Sequence, residues 1–201
     1  MKPYPHIGFY KHGNLPHFDE AGACQFVTLV LADAAPTRQK SRTIRLKRNY
    51  GEEEFLLIDN QLDRGLGACL LENPAYASEV VDVACHSDDL GMDLIAWVVM
   101  PNHAHLLLRQ HEGCQLGEMI CKLKSRSARR INLHRGASGK FWQIGYFDRF
   151  MRNEAQLRNT IDYIHNNPVE AGLAASPADW RFSSFSQFDN SQVEEVIRRT
   201  K

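Results

Sequence analysis

Leu94-Ile95-Ala96-Trp97-Val98-Val99-Met100-Pro101-Asn102-His103-Ala104-His105-Leu106-Leu107-Leu108 is two apolar runs joined by a Pro-Asn turn. Runs of this length, bounded by turn residues, predict two buried strands, Leu94 to Met100 and His103 to Leu108, paired as a hairpin. Side chains alternate along a strand, so His103 and His105 share one face while Ala104 points into a core on the other. Two imidazoles on one face can converge on a single ion, or can be two ordinary strand histidines. A complete metal site needs at least one further ligand from elsewhere.

Outward from the hairpin, Gln25 to Leu31 is β-branched and apolar and predicts a buried strand ended by Ala35-Pro36. Glu52 to Leu66 is expected to be helical in part, with Phe55, Ile58, Leu62 and Leu66 at roughly helical spacing. Pro74 suits the first turn of a helix continuing through Tyr76 to His86. Leu116, Met119, Ile120, Leu123, Ala128 and Ile131 predict a helix over 116–133. A loop follows at Gly136 to Gly139, and the aromatic run Phe141 to Met151 offers a fourth strand. Asn153 is a suitable N-cap for a helix that Pro168 should stop at Asn167. Strand, helices, hairpin, helix, strand, helix is an α+β order with a mainly antiparallel sheet. Residues 1–22 read as an irregular N-terminal arm, 23–186 as one catalytic domain and 187–201 as a C-terminal tail.

At 201 residues, 43% hydrophobic and 24% charged, the chain suffices for one domain with its own core. No apolar run reaches the roughly 20 residues that span a bilayer, which argues against a membrane protein. The N-terminus lacks a signal-peptide layout. Five scattered cysteines without a Cys-x-x-Cys pair suggest neither a disulfide framework nor a cysteine zinc site, and so a reducing cytoplasm. The zero net charge conceals segregation. Thr37 to Arg48 holds six bases and no acid, Glu52 to Asp93 eleven acids and one base, and Arg109 to Arg158 eleven bases and four acids. A basic face for a polyanion is one consequence; solvated helix faces are the other.

Tyr163 and Asn167 lie four apart, on one helix face and about 6 Å apart along its axis. A phenol is a poor nucleophile at neutral pH because its pKa is about 10. A divalent ion bound to a neighbouring phosphate oxygen offsets this by stabilising charge in the transition state. The Asn167 amide oxygen is placed to complete a site begun by His103 and His105, with Mg²⁺ or Mn²⁺ accommodated by the oxygen ligands. The alternative is a tyrosine packed on the core and an asparagine that ends a helix. Lys122, Lys124, Arg126, Arg129, Arg130 and Lys140, with the aromatics Trp142 and Tyr146, are candidates for binding single-stranded DNA, which needs cations for phosphates and flat partners for bases. Core packing is the competing use of those aromatics.

The run Ala96 to Leu108 resembles the His-hydrophobic-His signature of single-tyrosine transposases, and more narrowly that of the REP-associated tyrosine transposases. The resemblance continues through Phe26-Val27-Thr28-Leu29-Val30-Leu31-Ala32-Asp33, Gly139-Lys140-Phe141-Trp142-Gln143, Tyr146-Phe147-Asp148-Arg149 and Tyr163-Ile164-His165-Asn166-Asn167-Pro168, and ends near Trp180-Arg181-Phe182-Ser183-Ser184. It implies a ferredoxin-like βαββαβ fold and a divalent metal on His103, His105 and, by position, Asn167. It implies Tyr163 as nucleophile and cleavage of single-stranded DNA beside hairpins of palindromic repeats. The products are a 5′-phosphotyrosine link and a free 3′-hydroxyl. Monomer and homodimer are both compatible with it. Two residues depart from the pattern: Ala104 stands where valine is expected, and His165 where an acid is frequent. Two other functions stay open at this point, a hydrolytic metallonuclease without a covalent intermediate and a non-catalytic hairpin-binding protein.

Overall fold

The computed structural model describes residues 8–12, 15–34, 59–86 and 88–199. The basic stretch Thr37 to Arg48 and the first part of the expected helix at 52–58 lie outside the described residues. Strands β1 (Gly8–His12) and β2 (Leu15–Asp19) form a hairpin of their own. The main sheet holds β3 (Cys24–Val30), β4 (Met92–Val99), β5 (His103–Gln110) and β6 (Phe147–Phe150) in the order β4-β5-β3-β6, every neighbour antiparallel. Helix α1 (Pro74–His86) joins β3 to β4, and α2 (Leu116–Arg135) joins β5 to β6. Each crossover skips one strand, so the chain forms two interleaved split βαβ units, the ferredoxin-like βαββαβ order. Helices α3 (Glu154–Glu170) and α4 (Asn190–Arg199) complete the described elements. No helix among the described residues is long and apolar enough to cross a membrane.

Strand alternation divides the interior into two cores. Val27, Leu29, Ala104, Leu106 and Leu108 pack under α1 and α2 with Val80, Val83, Ile120 and Leu123. Phe26, Val98 and Leu107 face the opposite way, against Leu157, Ile161 and Ile164 of α3. His103 and His105 alternate with the first set and therefore lie on the α3 side, as the spacing predicts. Burial of each such leucine or isoleucine contributes roughly 1.5–3 kcal/mol, so the helix carrying Tyr163 is held on the sheet by its apolar face.

The helix ends follow local rules. Asn153 Oδ1 accepts the Gln156 N–H at 2.9 Å and caps α3. Gly136, at φ +57°, closes α2 with the Ala137 N–H on Asn132 O at 3.0 Å, a Schellman ending that favours glycine.

Four expectations change. Helix α3 runs past Pro168 to Glu170. Proline removes one donor there, but the Pro168 carbonyl still accepts from Leu173 at 2.8 Å and Asn167 O from Ala171 at 2.9 Å. Of the aromatic run, only Phe147–Phe150 is strand. After one bridge between Leu31 and Trp142 the chain leaves the ladder, and Lys124 Nζ donates to the freed carbonyls of Gln143, at 2.6 Å, and Gly145. The N-terminal segment read as irregular contains the β1–β2 hairpin, fixed to β6 by His17 on Asp148 and by the Phe18 N–H on Asp148 Oδ2 at 3.3 Å. The C-terminal segment read as a tail contains α4, whose Val193 and Ile197 enter the second core.

Candidate active site and metal centre

His103 and His105 are fully buried, with their Nε2 atoms 3.1 Å apart. Asn102 Nδ2 donates to Leu62 O at 2.8 Å and Leu66 O at 3.0 Å, which fixes the amide so that its Oδ1 faces His103 Nδ1 at 2.7 Å. An amide oxygen only accepts, so His103 Nδ1 carries the proton and Nε2 presents a lone pair. His105 Nδ1 lies 3.0 Å from Thr28 Oγ1 on the neighbouring strand, a hydrogen bond that orients its ring. Burial pushes His105 down to about 3 and His103 well below the usual histidine range, the latter also because His105 is adjacent. Two neutral imidazoles, each oriented through Nδ1, form the usual arrangement of metal-ligating histidines.

Tyr163 projects from α3 into the same space, its ring centroid 5.9 Å from that of His105. Its hydroxyl donates to Asp59 Oδ2 and accepts from Asn167 Nδ2 at 3.2 Å. Asp59 lies in the helical turn 59–62, and its Oδ1 is 3.4 Å from His105 Nε2. Asp63, one turn on, places Oδ1 3.9 Å from His103 Nε2. Burial pushes both carboxyls up to about 7; Tyr163 partly offsets this at Asp59, and Asp59 adds to it at Asp63. Burial, and then the charges of Asp59, Asp63 and Glu170, hold the Tyr163 hydroxyl far above the usual phenol range.

These residues fit a divalent cation. Asp59, His103 and His105 each offer a ligand atom, all within 4.8 Å of one another. Asp59 Oδ1, Asp63 Oδ1 and Asn167 Oδ1 are buried with no hydrogen-bond partner among the described residues. Orphaned buried oxygens are costly, and those of Asp59 and Asp63 beside two neutral imidazoles are what a hard or borderline cation satisfies.

The sequence reading thus finds His103, His105, Tyr163 and Asn167 in one place, and it misses Asp59, Asp63 and Asn102. The i, i+4 spacing of Asp59 and Asp63 in a part-helical stretch was the available signal. Nothing local separated them from the nine other acids between Glu52 and Asp93. His165 turns away from the site, with Nε2 2.9 Å from Ser184 Oγ and its ring edge-on to Phe185 and Phe188.

The residues expected to bind DNA are not gathered around this site. Helix α2 covers the sheet face opposite the histidines. Trp142 is buried in that core and its Nε1 donates to Ser127 Oγ at 3.0 Å, so its ring is not a stacking surface. Tyr146 is half-buried against His17 and hydrogen-bonds Tyr10. Lys124 caps loop carbonyls, and burial pushes its amine down to about 8. Arg126 pairs with Asp89, and Arg130 with Glu79 and Asp82. Lys122, Arg129 and Lys140 are exposed.

A family model described as Transposase IS200 like matches residues 76–167, which include all four residues singled out from the sequence but not Asp59. The REP-associated tyrosine transposase of Escherichia coli (strain K12) is 30% identical over 97 residues, 48% of this chain and 56% of that protein. A candidate REP-associated tyrosine transposase of Haemophilus influenzae (strain ATCC 51907 / DSM 11121 / KW20 / Rd) is 28% identical over 111 residues, 50% of this chain and 63% of that protein. The chain thus spans little more than half the length of these curated relatives. A solved structure of a REP-associated tyrosine transposase bound to a REP hairpin superposes with a TM-score of 0.57 over 88% of this chain and 84% of that one, at 20% identity, a likeness of fold. The resemblance to these transposases and the antiparallel α+β fold read from the sequence are both borne out.

Proposed function

We propose, from the kinship of this chain to the IS200-like and REP-associated tyrosine transposases, that it cuts and rejoins single-stranded DNA beside hairpins formed by palindromic repeats. The observation that carries this reading is the convergence of two neutral imidazoles, an orphaned Asp59 oxygen and the Tyr163 hydroxyl in one buried site, with Asn167 Nδ2 on that hydroxyl. A divalent cation, Mg²⁺ or Mn²⁺, held by His103, His105 and Asn167, would supply Lewis-acid stabilisation of charge on the scissile phosphate.

The chain's own groups account for the rest. Tyr163 Oη attacks phosphorus, forming a phosphotyrosine bond to the 5′ end of the downstream fragment. The P–O3′ bond breaks, and the departing 3′-oxygen is protonated from water. The phenol proton leaves along its hydrogen bond to Asp59 Oδ2. Asn167 Nδ2 donates to the phenolic oxygen and directs its lone pair. Attack by the 3′-hydroxyl reverses the step, so rejoining needs no external energy. Placing nucleophile and phosphate on rigid elements saves the orientational entropy that dominates such reactions.

For DNA contact we retain Lys122, Arg129 and Lys140, exposed cations on the α2 side of the sheet. They would hold hairpin phosphates away from the cut. The test uses labelled single-stranded hairpin oligonucleotides from sequences flanking the gene, with and without Mg²⁺ or Mn²⁺. Wild type is expected to cleave only with the metal, and His103→Ala and His105→Ala to lose cleavage while keeping DNA binding. Full activity in either variant, or cleavage under chelation, refutes the metal-assisted reading. Metal-dependent cleavage with unchanged turnover in Tyr163→Phe would instead favour attack by water.

A further inference from the structure

Among the described residues, Asp59 is a carboxylate that touches both halves of the site. Its Oδ2 accepts the hydrogen bond of the Tyr163 hydroxyl, and its Oδ1 points at His105 Nε2 from 3.4 Å with no hydrogen-bond partner. The side chain is almost wholly buried, and its ion-pair contact is to an imidazole that burial keeps neutral. A carboxylate buried without a compensating cation carries a large desolvation cost. Two imidazoles and the Asn167 carboxamide are all neutral donors, whereas Mg²⁺ and Mn²⁺ favour at least one anionic oxygen.

The placement of Asp59 is also built rather than incidental. Asn102 binds Leu62 O and Leu66 O through Nδ2 and His103 through Oδ1, so one buried side chain ties the segment bearing Asp59 to the histidine strand. Asp59 lies outside the segment matched by the transposase family model.

We propose that Asp59 is a ligand of the divalent cation, binding through Oδ1 while Oδ2 holds the hydroxyl of Tyr163, so that one carboxylate fixes the nucleophile relative to the metal. The inference rests on the reading of a cation at His103 and His105. It makes metal occupancy and nucleophile orientation properties of the same side chain. Asn167 Nδ2 donates to the same hydroxyl, so Tyr163 Oη has one donor and one acceptor as partners.

The test is Mn²⁺ binding to the full-length, chelator-stripped protein, followed by the free-Mn²⁺ paramagnetic resonance signal, for wild type, Asp59→Asn and His103→Ala. Asp59→Asn keeps the size of the side chain and an acceptor for Tyr163 but removes the charge. It is expected to weaken Mn²⁺ binding by about tenfold to a hundredfold, with the metal-free circular dichroism spectrum unchanged. A second readout is the ring Cζ resonance of Tyr163 in ¹³C-tyrosine-labelled protein, assigned with Tyr163→Phe. Saturating Mg²⁺ is expected to move it in wild type and not in Asp59→Asn. Should Asp59→Asn fail to fold, Asp59→Glu carries the same test, because one added methylene displaces the oxygens. Wild-type Mn²⁺ affinity in the Asp59 variant alongside its loss in His103→Ala overturns the proposal and leaves the cation reading standing. Equal affinity in all three proteins overturns both.

Discussion

Tyr163 Oη sits between Asn167 and Asp59, and behind Asp59 stand a second carboxyl, Asp63, and two neutral imidazoles. Without a cation this arrangement favours protons. Burial pushes Asp59 and Asp63 from 3.8 up to about 7. Between those values the folded chain holds more protons than the unfolded one. The stability these groups contribute is therefore full below about pH 4 and lost as pH rises through about 7. Chelator-treated wild type is expected to lose melting temperature between about pH 4 and 7 through these two groups. The double variant Asp59→Asn, Asp63→Asn should show a smaller fall, and added Mn²⁺ should reverse the wild-type trend by favouring the ionised carboxyls. Equal slopes in wild type and the double variant would remove Asp59 and Asp63 as its source. The histidines were legible at this scale because i, i+2 spacing on a strand fixes a shared face locally. Asp59 was not, because tertiary packing alone selects it from a long acidic segment. Trp142 and Lys124 misled for a related reason: a core ring and a base-stacking ring have the same composition, as do a lysine that caps carbonyls and one that meets phosphate.

Between residue and fold, three elements carry the site: β5 with the histidines, α3 with Tyr163 and Asn167, and the helical turn 59–62 with Asp59. The first two are attached by apolar faces that periodicity reveals. The third is tied to the histidine strand by Asn102, which is itself fully buried. Asn102→Ala leaves the Leu62 and Leu66 carbonyls and His103 Nδ1 without that partner. It is expected to cost about 1–3 kcal/mol per group left unsatisfied, read as a lower urea midpoint. Amide exchange at residues 59–66 should accelerate while that of β3 stays slow. Uniform exchange across both would contradict a local role for Asn102. Asn153→Ala is a milder test of α3: loss of its cap should cost about 1 kcal/mol without changing Mn²⁺ affinity. The extension of α3 past Pro168 escaped the sequence because proline disfavours a helix locally, whereas the N–H donors for the last helical carbonyls, those of residues 167–169, are supplied by the turn at 171–174.

Across the whole molecule the sheet separates two faces with different roles. The histidines, Tyr163 and Asn167 lie on the α3 side, and the basic helix α2 covers the other, where Arg126 and Arg130 are occupied by acids. Charge segregation along the sequence is therefore partly internal pairing between the acidic and basic segments, which a linear reading of charge cannot separate from a surface for polyanions. Removing the exposed cations in Lys122→Ala, Arg129→Ala, Lys140→Ala is expected to weaken hairpin binding and flatten its dependence on salt, by about 0.7 in the log–log slope per lost single-strand phosphate contact. The position of the cut should not move. An unchanged salt slope would place the phosphate contacts elsewhere. The α+β class and a mainly antiparallel sheet were readable from strand and helix periods, and the ferredoxin-like order from the resemblance to single-tyrosine transposases. The β1–β2 hairpin and α4 were not, since each is held by contacts to distant segments, His17 to Asp148 in one case and Val193 and Ile197 to the second core in the other.

The central claim is that Tyr163 forms the covalent bond to DNA. The most direct test is mass spectrometry of tryptic peptides after incubating the protein with a cleavable hairpin oligonucleotide and Mn²⁺. A nucleotide mass on the peptide containing Tyr163 in wild type, absent from a DNA-binding-competent Tyr163→Phe, is the predicted result. Cut DNA with no modified peptide, and equal cutting by Tyr163→Phe, would contradict it.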